Sequence, residues 1–176
     1  MEPGFDPSGF DGVWRMQAGS RVRDPRSGEW VPEPIQQQVI DIRHDDDVMH
    51  YRVRIDHAED LSLYMRYTCR YGADEWVPYA VYHIEGDPNH EKLRPNDYRK
   101  VVARIGEPIA FLKQIYVDPR TRYRITKHPS GAAQYVLMSR LSEDRQEMVG
   151  RVLAAEGDGE IDKHFVRDTE SAIEWP

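Results

Sequence analysis

Three side chains in this sequence have the chemistry that acid–base catalysis needs: Lys113, His83 and Tyr123. Lys113 interrupts the apolar run IAFLKQIYV, and burying an unpaired charge is costly. Lys113 in a polar interior could stabilise an enolate or oxyanion, while Tyr67, Tyr79 or Tyr123 donates a proton and His83 accepts one. His83 ends a strand before EGD, so a rim position is its default interpretation. The alternate positions of the predicted strand 109–117 are also mostly apolar: Ala110, Leu112, Gln114 and Tyr116. Either set of positions could therefore face the interior.

A second set of side chains points to ligand binding. Residues 48–71, VMHYRVRIDHAEDLSLYMRYTCRY, alternate polar with apolar residues, as half-buried strands do. Buried tyrosine hydroxyls need partners, and small-molecule sites are apolar pockets with a few converging polar groups. The tyrosines either line a cavity or pack in a wall with their hydroxyls at a rim. The predicted ligand-contacting residues are Tyr51, Met65, Tyr67, Tyr79, Phe111 and Tyr135.

The elements that must position these side chains are β-strands. Short runs with period-two alternation recur about every ten residues, separated by turn sequences such as DPRSGEW, RHDDD, DPRT and PSG. This pattern predicts an all-β fold, an antiparallel up-and-down β-barrel of about 8–10 strands with little helix, because closure removes aggregation-prone edges. One domain is expected over residues 1–176, with a lead segment 1–11 and a tail 169–176.

The phase of each strand decides which residues face the interior. Taking the apolar phase as inward places Tyr123 and Ile125 inside, and it places Val149 and Leu153 inside on a later strand. The same rule assigns Arg122 and Arg124 to the solvent face.

Composition excludes several classes of function. The 176 residues carry a formal net charge of −7, which argues against general nucleic-acid binding. No apolar run approaches the roughly 18 residues that span a bilayer, and the first residues do not resemble a secretory signal. The lone Cys69 favours a reducing, cytoplasmic setting and lies in phase with buried apolar neighbours. A homodimer remains open.

No motif identifies a metal or cofactor. The acidic runs HDDD and EGDGEID lack the calcium-loop spacing and read as hairpin turns. The seven histidines show no metal-ligand spacing, and their pattern neither indicates nor excludes a haem ligand. We therefore predict no metal and no cofactor.

Gly12-Val13-Trp14, at the start of the first strand, resembles the Gly-x-Trp signature of lipocalins and the wider calycin superfamily. The resemblance implies that Trp14 closes one barrel end, that a late basic residue, Arg167 here, packs across it, and that ligands enter at the opposite rim. Asn96-Asp97-Tyr98 resembles the family's Thr-Asp-Tyr motif. The signal peptide, disulfide and late helix of secreted lipocalins are not identified here. The closest description is a cytoplasmic, bacterial-type lipocalin-like barrel.

Three functions are consistent with these features. The first is a carrier or sensor that binds a small, largely apolar molecule, aromatic or isoprenoid-like, in the barrel lumen. The second is a cofactor-free isomerase, cyclase or lyase that acts on such a molecule through tyrosine, lysine and histidine. The third is an interaction module whose aromatic face packs on a partner. An enclosed cavity beside Tyr67, Tyr79 and Tyr123 would favour the first two.

Overall fold

A computed structural model describes residues 4–95, 100–155 and 160–176. These residues form two short 3₁₀ helices, Ser8–Phe10 and Glu91–Leu93, and twelve strands. The strands are β1 (Gly12–Met16), β2 (Arg21–Arg23), β3 (Trp30–Pro32), β4 (Gln37–Asp45), β5 (Val48–Ala58), β6 (Leu61–Arg70), β7 (Val77–Glu85), β8 (Pro108–Asp118), β9 (Thr121–Lys127), β10 (Ala133–Leu141), β11 (Glu147–Ala154) and β12 (Glu160–Asp168). Among the described residues no helix is long and apolar enough to cross a membrane.

Ten strands form a closed antiparallel barrel. β1 pairs with β4, each strand from β4 to β12 pairs with the next, and β12 pairs back with β1. The remaining two strands, β2 and β3, form a hairpin that extends the sheet beside the start of β12, where Ile161 lies opposite Val22. The predicted antiparallel barrel with little helix is therefore confirmed, and the added hairpin is new.

Cross-strand register sets which side chains face the lumen. Directly opposed residues of an antiparallel pair lie on the same face of the sheet, so the inward phase passes from strand to strand. Tyr79 is opposite Ala110, and Gln114 is opposite Arg124. Arg124 in turn is opposite Leu137, which is opposite Val152. The inward phase is thus even-numbered on β8, β9 and β11, and odd-numbered on β10.

Of the two phases left open for β8, the structure selects the even-numbered one as inward, which rules out the lumenal positions considered for Lys113 and Phe111. Leu112 is fully buried inside, whereas Phe111 and Lys113 are half-buried on the outer face. The Lys113 ammonium lies 5.3 Å from the centroid of the Trp76 ring. Both phases of this strand are mostly apolar, so hydrophobicity did not decide between them. The register with β7 did.

The prediction for β9 was wrong. Tyr123, one of the three tyrosines considered as proton donor, faces outward opposite Ile115, which is 40% exposed. Arg122 and Arg124 face inward and are buried. The same parity places Val152 inside on β11 and leaves Leu153 50% exposed.

His83 lies on the outer face because β7 contains a bulge. The pairing with β6 shifts between Tyr64 and Met65, so that Tyr64 is opposite His83 and Met65 is opposite Val81. One extra residue on a bulged strand reverses the phase beyond it. The His83 ring therefore packs against the outward Tyr64, with ring centroids 5.3 Å apart.

Gly86 follows β7 at a position that only glycine accommodates. Its φ is +104°, and a Cβ there would collide with the Asp60 carbonyl oxygen of the β5–β6 turn. We expect Gly86→Ala to lower the free energy of unfolding by about 2–5 kcal/mol, since left-handed strain and a forced backbone shift add together. Urea unfolding measures the loss. Gly131→Ala, at φ +94° with nothing within 4 Å, is the control and carries the conformational strain alone. Equal losses in the two variants would contradict the collision.

Asp168 anchors the residues that follow the last strand. It accepts backbone hydrogen bonds from Ser171 (2.9 Å) and Glu170 (3.1 Å) and pairs with Arg15 at 2.8 Å. Chiefly the Ser171 amide, and also the Arg15 guanidinium, lower the pKa of Asp168 to about 2.

A lowered carboxyl pKa in the folded state predicts acid-sensitive stability. In the unfolded chain the Asp168 carboxyl takes up its proton near the ordinary aspartate pKa. Its contribution to the free energy of unfolding is therefore complete above about pH 5 and is lost as the pH falls toward about 2. Asp168→Asn should therefore be less stable at neutral pH and should show a shallower fall in unfolding free energy between about pH 4 and pH 2. Urea melts across that range test this. Asp74→Asn, in the exposed β6–β7 loop, is the control, and an unchanged slope in Asp168→Asn would contradict the assignment.

Candidate ligand-binding site

The barrel encloses a cavity of about 550 Å³. Every barrel strand from β4 to β12 contributes at least one lining side chain. The apolar part of the lining includes Ile40, Ile55, Met65, Leu137, Met148, Val152, Ile161 and Phe165. The polar part includes Gln38, Gln114, Arg122, Arg124, Ser139, Lys163 and the tyrosines Tyr51, Tyr67, Tyr79 and Tyr135. Most of the lining surface is nevertheless apolar, and an apolar chamber with converging polar groups is typical of small-molecule sites.

One end of the barrel is closed by Trp14. Its ring is fully buried, and its indole N–H donates to the Phe10 carbonyl at 2.9 Å. The Arg167 guanidinium carbon lies 4.3 Å from the centroid of the ring. Gly12 permits this approach, because a Cβ at its φ of +119° would lie 2.8 Å from an Arg167 nitrogen. The Gly-x-Trp pair and its late arginine thus lie together, while Asn96-Asp97-Tyr98 lies outside the described residues.

The cavity opens at the opposite rim. Its lining there includes the exposed Ser130, Ala132 and Ala133 of the β9–β10 turn, together with the exposed Lys100. The linker between β3 and β4 borders the cavity through Glu33, Pro34 and Ile35. The resemblance implied ligand entry at the rim away from Trp14, and entry there stays a prediction that the exposed lining residues are consistent with.

Three tyrosines from adjacent strands form one wall of the cavity. Tyr51 on β5 and Tyr67 on β6 stack with centroids 4.6 Å apart. Tyr79 on β7 meets them edge-on, at 6.1 Å from Tyr51 and 5.3 Å from Tyr67. Such packing holds the rings as a rigid aromatic surface. The Tyr67 hydroxyl accepts a hydrogen bond from the Gln114 side-chain amide at 2.8 Å.

Arg124 extends from β9 into the centre of this aromatic group. Its guanidinium carbon lies 5.2–5.9 Å from the centroids of four rings, those of Tyr51, Tyr67, Tyr79 and Tyr135. One terminal nitrogen donates to the Tyr135 hydroxyl at 3.0 Å. Nε and the other terminal nitrogen are buried without a hydrogen-bond partner. Cation–π attraction to the rings offsets only part of the desolvation of this charge.

The counter-charge for Arg124 is missing from the described residues. No carboxylate among them forms an ion pair with Arg124 or with its inward neighbour Arg122. Burial raises the pKa of Tyr51, Tyr67 and Tyr79, so these phenols stay neutral at physiological pH. A guanidinium keeps its proton under all such conditions. The cavity therefore holds a fixed positive charge.

Two other lining cations differ from Arg124. Arg122 turns toward the closed end, where its guanidinium carbon lies 4.6 Å from the centroid of the Phe10 ring and Nη1 contacts the Met49 sulfur. The Lys163 ammonium is neutralised, since it binds Glu33 at 2.5 Å and Gln38 at 2.6 Å. Lys100, the fourth lysine or arginine of the lining, is exposed at the rim, so Arg124 is the buried lining cation with two donors that lack hydrogen-bond partners.

Comparison with solved structures identifies the fold. A mutant of the fluorescent protein UnaG matches with a TM-score of 0.54 and 13% sequence identity, over 92% of this chain and 98% of that chain. The likeness shows a shared fold, a closed antiparallel β-barrel of the calycin-like type. No protein-family model matches the sequence, and the search of curated proteins gave no match.

The calycin-like barrel brings together most of the predicted ligand-contacting residues and none of the predicted catalytic ones. Tyr51, Met65, Tyr67, Tyr79 and Tyr135 line the cavity, and ligand contact by them stays a prediction. Lys113, His83 and Tyr123 lie on the outer face, where the acid–base mechanism proposed for them has no enclosed chamber. Among the described residues no cluster of histidine, cysteine or carboxylate side chains could hold a metal.

The sequence interpretation missed Arg122 and Arg124. Both alternate with Tyr123 and Ile125, so the apolar rule sent the arginines to solvent. One signal could have found them. Gln114 lies opposite Arg124 and Tyr116 lies opposite Arg122, so the alternative phase of β8, once chosen, would have carried both arginines inside.

Proposed function

We propose that this barrel binds a small, largely apolar molecule with one anionic group, as a carrier or sensor, and that Arg124 pairs with the anion. The observation that carries the proposal is the buried guanidinium with two unpaired nitrogens. An isolated charge in a low-dielectric site is costly, and a bound oxyanion would supply both the counter-charge and the missing acceptors.

The rest of the cavity describes the body of the ligand. A volume of about 550 Å³ lies within the range of roughly 300–1,000 Å³ that holds drug-sized molecules. The stacked Tyr51 and Tyr67 offer a flat, rigid surface, and Met65, Leu137 and Val152 supply apolar contacts. These features support an aromatic or isoprenoid-like body, with the anionic group directed toward the tyrosines around Arg124.

Matched pairs of acids and alcohols test the proposal. Retinoic acid and retinol share an isoprenoid body, and naphthaleneacetic acid and naphthaleneethanol share an aromatic one. Fluorescence or calorimetric titration should show at least one acid binding roughly tenfold or more tighter than its alcohol, because only the acid neutralises the guanidinium. Equal affinities within both pairs, or no binding by any of the four, would overturn the proposal.

Mass spectrometry of freshly purified protein supplies an independent test. Native spectra, followed by denaturing extraction, should reveal a small organic acid retained in the barrel. A neutral hydrocarbon or alcohol retained in its place would contradict the role assigned to Arg124.

A further inference from the structure

The outer wall of the barrel carries a second depression, whose lining shares Tyr51 and Tyr67 with that of the lumen. It lies on β4, β5 and β6 and has a volume of about 360 Å³. The outward side chains that border it form two rows across the strands. Asp41, Arg52 and Arg66 lie opposite one another in the first row, and Arg43, His50 and Thr68 do so in the second.

The depression has a surplus of positive charge. Asp41 is its one carboxylate and is held by Arg52, with contacts of 2.8 Å to Nε and 2.6 Å to Nη2. The Arg43 Nε lies 3.6 Å from the other oxygen of Asp41. The depression is thus lined by three arginines and one carboxylate, in a chain whose 31 acidic residues outnumber its 24 lysines and arginines. Two positive charges remain unbalanced.

Arg66 is the arginine of the depression that contacts no carboxylate among the described residues. It is exposed, and within the described part of the chain it has neither an ion pair nor a side-chain hydrogen bond, only a ring contact. It lies directly opposite Arg52, and like charges opposed across strands destabilise a sheet. An arginine in that position costs stability unless an anion bridges the pair.

Aromatic rings hold both guanidinium groups in place. The guanidinium carbon of Arg66 lies 4.8 Å from the centroid of the Tyr82 ring, and that of Arg52 lies 4.5 Å from the centroid of the Trp175 ring. Stacking on a ring fixes the plane of the fork and leaves its N–H edges free to donate. His50 is oriented by a 3.2 Å contact between its Nδ1 and the Thr68 hydroxyl.

We propose that this outer depression is a binding site for the phosphate group of a small molecule. A phosphate dianion matches the surplus of two positive charges, and its oxygens match the planar forks of Arg66 and Arg43. The net charge of −7 opposes a long polyanion, since affinity for nucleic acid comes mainly from neutralising many phosphates. The polar groups assigned to the phosphate lie in the outward phase of β4, β5 and β6, so this proposal does not rest on the ligand proposed for the lumen.

Calorimetric titration at low ionic strength tests the site with two probes, inorganic phosphate and glycerol 3-phosphate, neither of which has an apolar body suited to the lumen. Both should bind the wild-type chain, and sodium acetate at matched ionic strength should not. Arg66→Gln should weaken phosphate binding roughly tenfold or more, which corresponds to about 1.4 kcal/mol. Arg140→Gln removes an exposed arginine of the outer wall on β10 and should leave the affinity unchanged.

The two probes separate the sources of the phosphate. Equal affinities for inorganic phosphate and glycerol 3-phosphate would assign the site to free phosphate. Tighter binding of glycerol 3-phosphate would assign it to a phosphate ester. Both results support the proposal. Three results would overturn it: no binding of either probe, an equal loss in Arg140→Gln, or binding of a short single-stranded oligonucleotide without binding of either probe. Circular dichroism of each variant verifies that the barrel is intact.

Discussion

Arg124→Met should abolish the preference of the barrel for acids over alcohols while leaving the fold at least as stable as the wild type. The guanidinium is buried among four tyrosine rings and lacks partners for two of its nitrogens. Removing one partner of a buried charge pair costs about 2–5 kcal/mol of binding, so the affinity for the acid should fall roughly 30- to 4,000-fold. The affinity for the matched alcohol should change little, since methionine preserves the apolar volume.

The stability of the same variant distinguishes a binding residue from a structural one. Replacing a buried, unpaired charge by an apolar side chain of similar length is neutral or stabilising, by about 1–3 kcal/mol. Thermal and urea unfolding without ligand measure this, with Arg140→Met on the outer wall as the matched control. A strongly destabilised Arg124→Met would show that the arginine supports the barrel. Equal losses for acid and alcohol would show that it does not recognise charge.

Trp14→Ala should be the most destabilising single substitution at the closed end, with a loss of about 3–5 kcal/mol of unfolding free energy. The indole is fully buried, and its N–H hydrogen bond to Phe10 holds the 3₁₀ helix Ser8–Phe10 against the barrel. Alanine would leave a large cavity and would remove the ring on which the Arg167 guanidinium stacks.

Two further variants make the Trp14 result specific. Trp14→Phe keeps an aromatic ring but loses the N–H donor, so it should cost clearly less than the alanine variant. Trp30→Ala removes a tryptophan that is 37% exposed on β3, and it should cost under about 1 kcal/mol. Guanidinium chloride unfolding followed by far-ultraviolet circular dichroism compares all three without relying on tryptophan fluorescence. Similar losses in Trp14→Ala and Trp30→Ala would contradict the closing role of Trp14.

Strands β5 and β6 were predictable because only one of their phases is strongly polar. The outward phase contains Arg52, Arg54 and Arg66, so the inward positions of Tyr51, Met65 and Tyr67 follow from alternation alone. The turn sequences between the strands predicted their antiparallel order, because glycine, proline and aspartate favour the tight turns that join neighbouring antiparallel strands. The tyrosine wall was therefore visible from sequence.

Strands β7, β8 and β9 were not predictable in the same way. A bulge in β7 moves His83 outside, and a bulge leaves no reliable mark on the alternation of a short strand. β8 has apolar residues in both phases. Neither phase was therefore polar enough to mark the solvent face, and the sequence could not show on which face Lys113 and Phe111 lie. Arg124 contradicts the apolar rule outright, because its charged side chain is buried among tyrosine rings while Tyr123 and Ile125 face outward.

By itself, the sequence determined an antiparallel barrel with a tryptophan near its first strand and several phenols on one face of its longest ribbon, because local alternation and turn chemistry are properties of neighbouring residues. Only the tertiary structure decided which face of each later strand turns inward, because closing ten strands into a ring makes the phase of each depend on the register of the next. That closure, and not the local pattern, places the Arg124 charge among the tyrosines.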